Sequence, residues 1–155
     1  MSKAEINPAI GAMLSSARDW LLHEHSLFQS LDIRPVLIGR NKATFSVLLP
    51  EDFLNADGKI HGGLLTIIMD SIFGMAAFTA LDELKPIATI NLRTDYLADI
   101  VAGGRVTCAA ECVRLRGDIA YVAGDLRDET SGTIIATGSG SFIVGTRSQT
   151  KESRL

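Results

Sequence analysis

The sequence lacks the features of several large functional classes. It has 15 lysines and arginines against 18 aspartates and glutamates, a formal net charge of −3, so the concentrated basic face that binds nucleic acid is not expected. It has only two cysteines, Cys108 and Cys112, which lie four residues apart in one predicted strand. Such residues share a face of a strand but are too far apart to form a disulfide. We therefore expect free buried thiols, as is usual in a cytoplasmic protein.

Signals for secretion, membrane insertion and metal binding are also missing. The first residues lack the basic start and apolar core of a secretory signal. The one long apolar run, Leu64–Leu81, carries Asp70 near its middle, and an unpaired central carboxylate is costly in lipid. His23 and His25 are two residues apart, so they would diverge on a helix. We expect a cytoplasmic protein with no membrane partner and no metal.

What is present is the material for one globular core. Hydrophobic residues make up 46% of the chain and charged residues 21%, and a chain of 155 residues is the usual size for one domain. We expect a single domain over residues 1–145, followed by a polar tail over residues 146–155. The chain shows no internal repeat and no low-complexity linker.

The hydrophobic patterns predict an α+β domain. A helix follows Asn7-Pro8, a hairpin turns at residues 39–42, and the apolar run forms a second, long helix that we expect to be buried on nearly all sides. The predicted strands are Asp32–Ile38, Ala43–Leu49, Ile87–Leu97, Arg105–Leu115, Ile119–Arg127 and Thr133–Val144. An antiparallel sheet wrapped around one long helix accounts for this order. Alternating Ala136, Gly138 and Gly140 would let the helix approach the last strand closely, although such glycines also occur in weak edge strands.

A glycine pair at the start of the long helix is the first candidate for chemistry. Gly62 and Gly63 follow the segment Asn55–His61. The first N–H groups of a helix have no intrahelical partner, and the helix dipole adds positive charge there. Such a site can polarise a carbonyl whose oxygen becomes negative during acyl transfer. The alternative is a flexible turn without a chemical role.

Asp70 is the second candidate. It lies about two helical turns beyond the glycine pair, among apolar residues, where a carboxylate without a partner would be expensive to bury. Two interpretations stay open from the residues alone: a structural hydrogen bond, or a catalytic group. As a catalytic group it would take a proton from water or attack a carbonyl directly.

Together these residues form a pattern that resembles a known family. Asn55-x2-Gly58-x2-His61-Gly62-Gly63, with Asp70 nine residues after His61, resembles the hot-dog-fold acyl-CoA thioesterases, in particular their PaaI-like (phenylacetic acid degradation) branch. The resemblance covers roughly residues 43–144. It implies a hot-dog fold and hydrolysis of an acyl- or aryl-acyl-CoA thioester to the free acid and coenzyme A. It implies no cofactor.

The resemblance also assigns roles to individual residues. Asp70 matches the family's general base or nucleophile, and Gly62 the glycine whose N–H binds the thioester carbonyl. His61 matches a histidine that orients this loop, Asn55 an asparagine that positions water or the carbonyl, and Thr89 a hydroxyl residue that helps to place the water. In the family the counterparts of Asn55 and Gly62 come from one subunit and that of Asp70 from the other. We therefore expect a homodimer that forms the active site, assembled into a homotetramer.

One position departs from a related branch of the family. That branch uses a glutamate with a threonine one turn later, whereas Gly74 stands one turn after Asp70 here. The departure places the chain in the branch that uses aspartate, so Thr89 or Asn55 is expected to position the water.

The remaining predictions concern substrate binding and rival functions. Gly63 is a further candidate for substrate binding, and Arg93, Arg114 and Arg116 are candidates for the phosphates of coenzyme A, although arginines on strands are usually solvated. Two alternative functions stay open. One is a non-catalytic acyl-CoA-binding module on the same fold, and the other is a hot-dog enoyl hydratase or dehydratase.

Overall fold

The computed structural model describes residues 5–100 and 102–145, without the side chains of residues 17–22. The predicted tail over residues 146–155 lies outside this range. The helices are α1 (Pro8–His23), α2 (Ser26–Ser30) and α3 (Gly62–Thr79), with a 3₁₀ turn at Glu51–Phe53. The strands are β1 (Arg34–Gly39), β2 (Lys42–Leu48), β3 (Ile87–Tyr96), β4 (Arg105–Arg116), β5 (Ile119–Asp128) and β6 (Ile134–Val144).

The six strands form one antiparallel sheet in the order β1-β2-β4-β5-β6-β3, and the long helix α3 packs across it. This arrangement confirms the predicted α+β hot-dog fold. Buried apolar residues of α3, such as Ile68, Ile72 and Phe73, share one core with the inner face of the sheet. Because β3 is an edge strand that pairs only with β6 on one side, its other side is open.

Glycines on the sheet set how closely α3 can approach. A Cβ built on Gly138 would lie 2.7 Å from the terminal methyl of Met69, and one on Gly124 would lie 2.8 Å from the Phe73 ring and also contact the backbone of β4. The helix therefore approaches Gly138 closely, as predicted, and a Cβ there would also lie 2.8 Å from the carbonyl oxygen of Arg93 on β3. Gly140 differs, because its Cβ would meet the carbonyl oxygen of Asn91 on the neighbouring strand rather than the helix.

The expectation that α3 is buried on nearly all sides is not met within this chain. The helix is long and apolar enough to cross a membrane by length and composition, but half of it is buried in the fold. The opposite side is open: Ile67 is 45% exposed, and Asp70, Ser71 and Gly74 are half-buried. The sheet covers only one side of the helix, whereas the apolar sequence continues on the other side, and an exposed apolar surface of this kind is typical of an interaction surface.

The N-terminal helices close one end of the core. Ile10 of α1 and Phe28 of α2 are buried, and the Phe28 ring stands edge-on to Phe45 of β2 with the ring centroids 6.5 Å apart. The sequence pattern did not predict α2, since a helix of five residues is too short to show helical periodicity. Met13 and Leu14 on the same side of α1 reach the open side of α3, where they line a cavity with Asp70.

Candidate active site

The loop that leads into α3 is fixed by its own backbone. The N–H of Asn55 donates to the carbonyl of Lys59 at 2.8 Å, and the N–H of Gly58 donates back to the carbonyl of Asn55 at 3.0 Å. Gly58 has a φ of +77°, a left-handed conformation that glycine adopts without strain. The N–H of His61 then donates to Phe53 at 2.9 Å. These hydrogen bonds therefore fix the direction in which the chain enters α3.

His61 caps α3 with its side chain. Its Nδ1 accepts a hydrogen bond from the N–H of Gly63 at 2.9 Å, which places the proton of a neutral imidazole on Nε2. A Cβ on Gly63 would lie 2.9 Å from that Nδ1, so a larger residue at position 63 would force the imidazole to shift from this position. His61 thus contacts the backbone of the loop that it was predicted to orient. It also uses the N–H of Gly63, which was predicted to bind substrate, within the cap.

The N–H of Gly62 is the first in α3 and has no hydrogen-bond partner among the described residues. The ring of Tyr96, from the end of β3, covers this glycine: a Cβ built there would lie 3.2 Å from the ring. The Tyr96 hydroxyl lies 2.7 Å from the hydroxyl of Thr66, which donates to Thr94 at 3.2 Å. Sequence reasoning missed Tyr96, because nothing in the spacing ties a strand-end tyrosine to a helix start 34 residues earlier.

Asp70 is held from the neighbouring edge strand. The hydroxyl of Thr89 donates to Oδ1 of Asp70 at 2.8 Å. A bulge in β3, with a shift in register between Thr89 and Asn91, makes Ile90 an extra residue opposite β6, and such bulges re-aim side chains beside active sites. The structure therefore brings together two of the predicted residues. Ser71, the next residue along the helix, donates its hydroxyl to the carbonyl of Ile67 at 3.0 Å.

The predicted residues fall into two groups within one subunit. Asp70 and Thr89 line a cavity of about 410 Å³ on the open side of α3. Asn55 and Gly62 line a second cavity of about 210 Å³ at the start of the helix, together with Tyr96. Eight residues of helix separate Gly62 from Asp70, a rise of about 12 Å. Groups that act on one carbonyl must each lie within about 3 Å of the reacting atoms, so Gly62 and Asp70 of the same chain are not placed to act on the same carbonyl.

The three arginines lie elsewhere. Arg93 forms a salt bridge with Asp95 on its own strand at 3.0 Å, and Arg114 and Arg116 are exposed at the far end of β4. The described linings of the two site cavities contain none of them. Their predicted contact with the phosphates of coenzyme A stays a prediction.

Other reactive groups do not join the site. Cys108 and Cys112 are free and buried, and burial raises the pKa of the Cys108 thiol far above its usual range, so it stays protonated. Within residues 5–100 and 102–145, no three histidine, cysteine, aspartate or glutamate side chains form a group that could hold a metal.

Comparison with known proteins shows that the sequence is similar to thioesterases. The sequence model of the Thioesterase superfamily matches residues 57–135, half of the chain, and this stretch contains Gly62, Asp70 and Thr89. Acyl-coenzyme A thioesterase 13 of Mus musculus is 27% identical over 88 residues, 57% of this chain and 62% of that protein. The match therefore spans less than two thirds of the mouse relative's own length.

Solved structures show the same fold. The phenylacetic acid degradation protein PaaI of Thermus thermophilus, solved as a mutant, superposes with a TM-score of 0.68 at 25% identity, covering 77% of this chain and 97% of that one. The PaaI protein of Escherichia coli superposes with a TM-score of 0.75 at 15% identity, covering 90% and 96%. The second likeness shows the fold alone.

Proposed function

The chain belongs to the thioesterase superfamily, and from this premise we propose that it hydrolyses an acyl-coenzyme A thioester to the free acid and coenzyme A. One observation carries the proposal: the Asp70 carboxylate, held at 2.8 Å by Thr89, stands in an apolar cavity on the open side of a helix whose first N–H is free. The mouse relative's name, an acyl-coenzyme A thioesterase, supports coenzyme A as the thiol.

The proposed chemistry needs one carboxylate and one N–H donor. Asp70 takes a proton from water, whose oxygen attacks the thioester carbon, or the carboxylate attacks that carbon itself. The carbonyl oxygen becomes negative and is stabilised by the N–H of Gly62 and the helix dipole. Collapse of the intermediate breaks the carbon–sulfur bond, and the sulfur leaves as the thiolate of coenzyme A, which then takes up a proton. After attack by water this step yields the free acid directly. After attack by the carboxylate it yields a mixed anhydride with Asp70, which water then hydrolyses to the free acid and the regenerated carboxylate. Thr89 orients the Asp70 carboxylate for this step, and Asn55 is proposed to position the water or the carbonyl.

We propose that two subunits share each site. Within one subunit Gly62 and Asp70 lie in separate cavities. A two-fold axis that passes close to Ile67, near the middle of the stretch from Gly62 to Asp70, would run the two helices antiparallel and bring each Gly62 to the partner's Asp70. Isologous contacts of this kind are the commonest in homodimers. The shared site therefore follows from the helix geometry once a second copy covers the open side of α3.

The exposed surface around Asp70 supports this dimer. Ile67 is 45% exposed and Ile90, on the free edge of β3, is 52% exposed. These side chains flank the Asp70–Thr89 pair. A ten-residue edge strand with an exposed isoleucine pairs readily with another chain. The predicted pairing of two dimers into a homotetramer stays a prediction, and the cytoplasmic location is likewise proposed.

Thiol release from a panel of acyl-CoA thioesters tests the proposed function. We expect release of free coenzyme A in equal amount to the acid, without added metal or cofactor. If acyl-CoA binds but no thiol appears, the chain is the binding module of the first alternative. If an enoyl-CoA loses its absorbance without thiol release, the chain is a hydratase. Either result would overturn the proposal.

A further inference from the structure

We infer that Gly74, together with the α1 side chains of Met13 and Leu14, sets how long a neutral, apolar acyl group the cavity beside Asp70 accepts. The inference rests on the proposed thioester hydrolysis and names its substrate class. It is carried by the chemistry of the cavity lining, by the free space at Gly74, and by the position of two α1 side chains.

The cavity is apolar except close to Asp70. Its polar side chains are those of Asp70, Ser71 and Thr89, which lie together. The rest of the lining is apolar and consists of Met13, Leu14, Gly74, Met75, Phe78, Ile87, Ala88 and Phe142. None of the described lining residues is a cation. An acyl group ending in a carboxylate would therefore meet the negative Asp70 with no positive partner, which is costly in an apolar cavity.

The size of the cavity favours acyl groups larger than acetyl. Its volume is about 410 Å³, whereas a protein cavity of about 150 Å³ holds benzene. An acetyl group would leave most of this apolar surface unfilled. Because each buried methylene improves binding by about fourfold, a medium-chain or aryl-acyl group gains most from this site.

Among the described residues of this chain, no close contact requires glycine at position 74. It lies one helical turn after Asp70 on the same side of α3, and its φ is not in the left-handed region. A Cβ there would meet Ile87 and Phe142 at 3.7 Å, which is ordinary contact. Glycine inside a helix is unfavourable relative to alanine. The missing side chain instead leaves space in the cavity directly beside the reacting group.

The other wall comes from α1. Met13 and Leu14 of α1 line the same cavity as Asp70 and Gly74 of α3. Methionine is flexible and adapts to ligands of different shape. Shortening Met13 would therefore lengthen the space, while a larger residue at position 74 would shorten it, so the two changes should move acyl preference in opposite directions.

The test compares kcat/KM for acetyl-, hexanoyl-, decanoyl- and adipoyl-CoA in the wild type, Gly74→Leu and Met13→Ala. We expect the wild type to prefer hexanoyl- over adipoyl-CoA by about a hundredfold, because these acyl groups have the same number of carbons and differ in charge. We expect Gly74→Leu to lower the decanoyl-to-acetyl ratio by about tenfold or more, and Met13→Ala to raise it. Gly11→Leu is the matched control, since Gly11 lies on α1 outside the lining and a Cβ there meets no atom within 4 Å.

The possible failures are distinct. If the wild type releases no thiol from any thioester, the proposed function itself is wrong. If the wild type is active but Gly74→Leu leaves the decanoyl-to-acetyl ratio unchanged, or lowers turnover of all thioesters equally, the inference is wrong and the function stands. If Gly74→Leu does not fold, as judged by circular dichroism, the Met13→Ala ratio and the hexanoyl-to-adipoyl preference decide the inference alone.

Discussion

The Asp70→Asn protein is expected to fold normally and to lose turnover of acyl-CoA by about 10²–10⁴-fold in kcat. An asparagine has the same shape as the aspartate and still offers an oxygen to the hydroxyl of Thr89, which donates at 2.8 Å. Its amide, however, neither accepts a proton from water nor attacks a carbonyl. The loss should therefore appear in kcat, measured by thiol release, with little change in thermal stability.

A second aspartate on a neighbouring strand provides the control. Asp125 of β5 pairs with Arg127 and lines neither of the two cavities of the site. Its replacement by asparagine removes one carboxylate of the same kind, and we expect turnover close to wild type. An Asp70→Asn protein with at least a tenth of the wild-type kcat would show that the carboxylate is structural, which is the other interpretation that the sequence left open.

Removing the N–H of Gly62 is expected to lower kcat by about 10²–10³-fold, the usual cost of losing one oxyanion donor. Gly62→Pro makes this change with little harm to the helix, because proline suits the first helical position. The preceding residue, His61, has φ −62° and ψ 124°, an extended conformation compatible with a following proline.

Gly62→Ala is the matched variant, since it keeps the N–H and adds the same Cβ that proline carries. That Cβ would lie 3.2 Å from the ring of Tyr96, so any effect of crowding the ring appears in both variants. We expect alanine to be much more active than proline when thiol release is compared at saturating substrate. Equal activities would mean that the Gly62 N–H does not act on the carbonyl.

Local sequence patterns were sufficient for most of the fold. The predicted strands and the long helix agree with the structure to within two residues, because period-two and helical patterns separate cleanly along this chain. The apolar run predicts a helix that begins at Leu64, whereas α3 begins two residues earlier, at Gly62. Only coordinates show that the His61 ring lies against Gly63 and accepts its N–H.

The site was harder to predict than the fold. The residues alone do not decide whether Asp70 makes a structural hydrogen bond or acts in catalysis. The role of Thr89 near the reacting water comes only from the resemblance to the family. The hydrogen bond between Thr89 and Asp70 lies beside the bulge at Ile90, and the position of a bulge cannot be predicted from residue spacing. Tyr96 was missed for a similar reason, because its contacts with Gly62 and Thr66 join elements that are distant along the chain.

The open side of α3 shows a further limit of sequence patterns. An all-apolar helix indicates that every side will be covered, but it does not tell whether the cover comes from the same subunit or from another. In this chain the sheet covers one side, and Ile67 and Asp70 lie on the uncovered one. The distance between Gly62 and Asp70 along the helix, about 12 Å, then argues for a partner subunit.

A hybrid dimer tests the shared site most directly. Asp70→Asn and Gly62→Pro subunits carrying different affinity tags are produced together, and the dimers that hold both tags are purified and assayed for thiol release. If each site takes Gly62 from one subunit and Asp70 from the other, one of the two sites in the hybrid is intact, and activity should return to about half of the wild-type value per dimer. A hybrid dimer as inactive as its two parents would show that each site lies within a single subunit and would contradict the account.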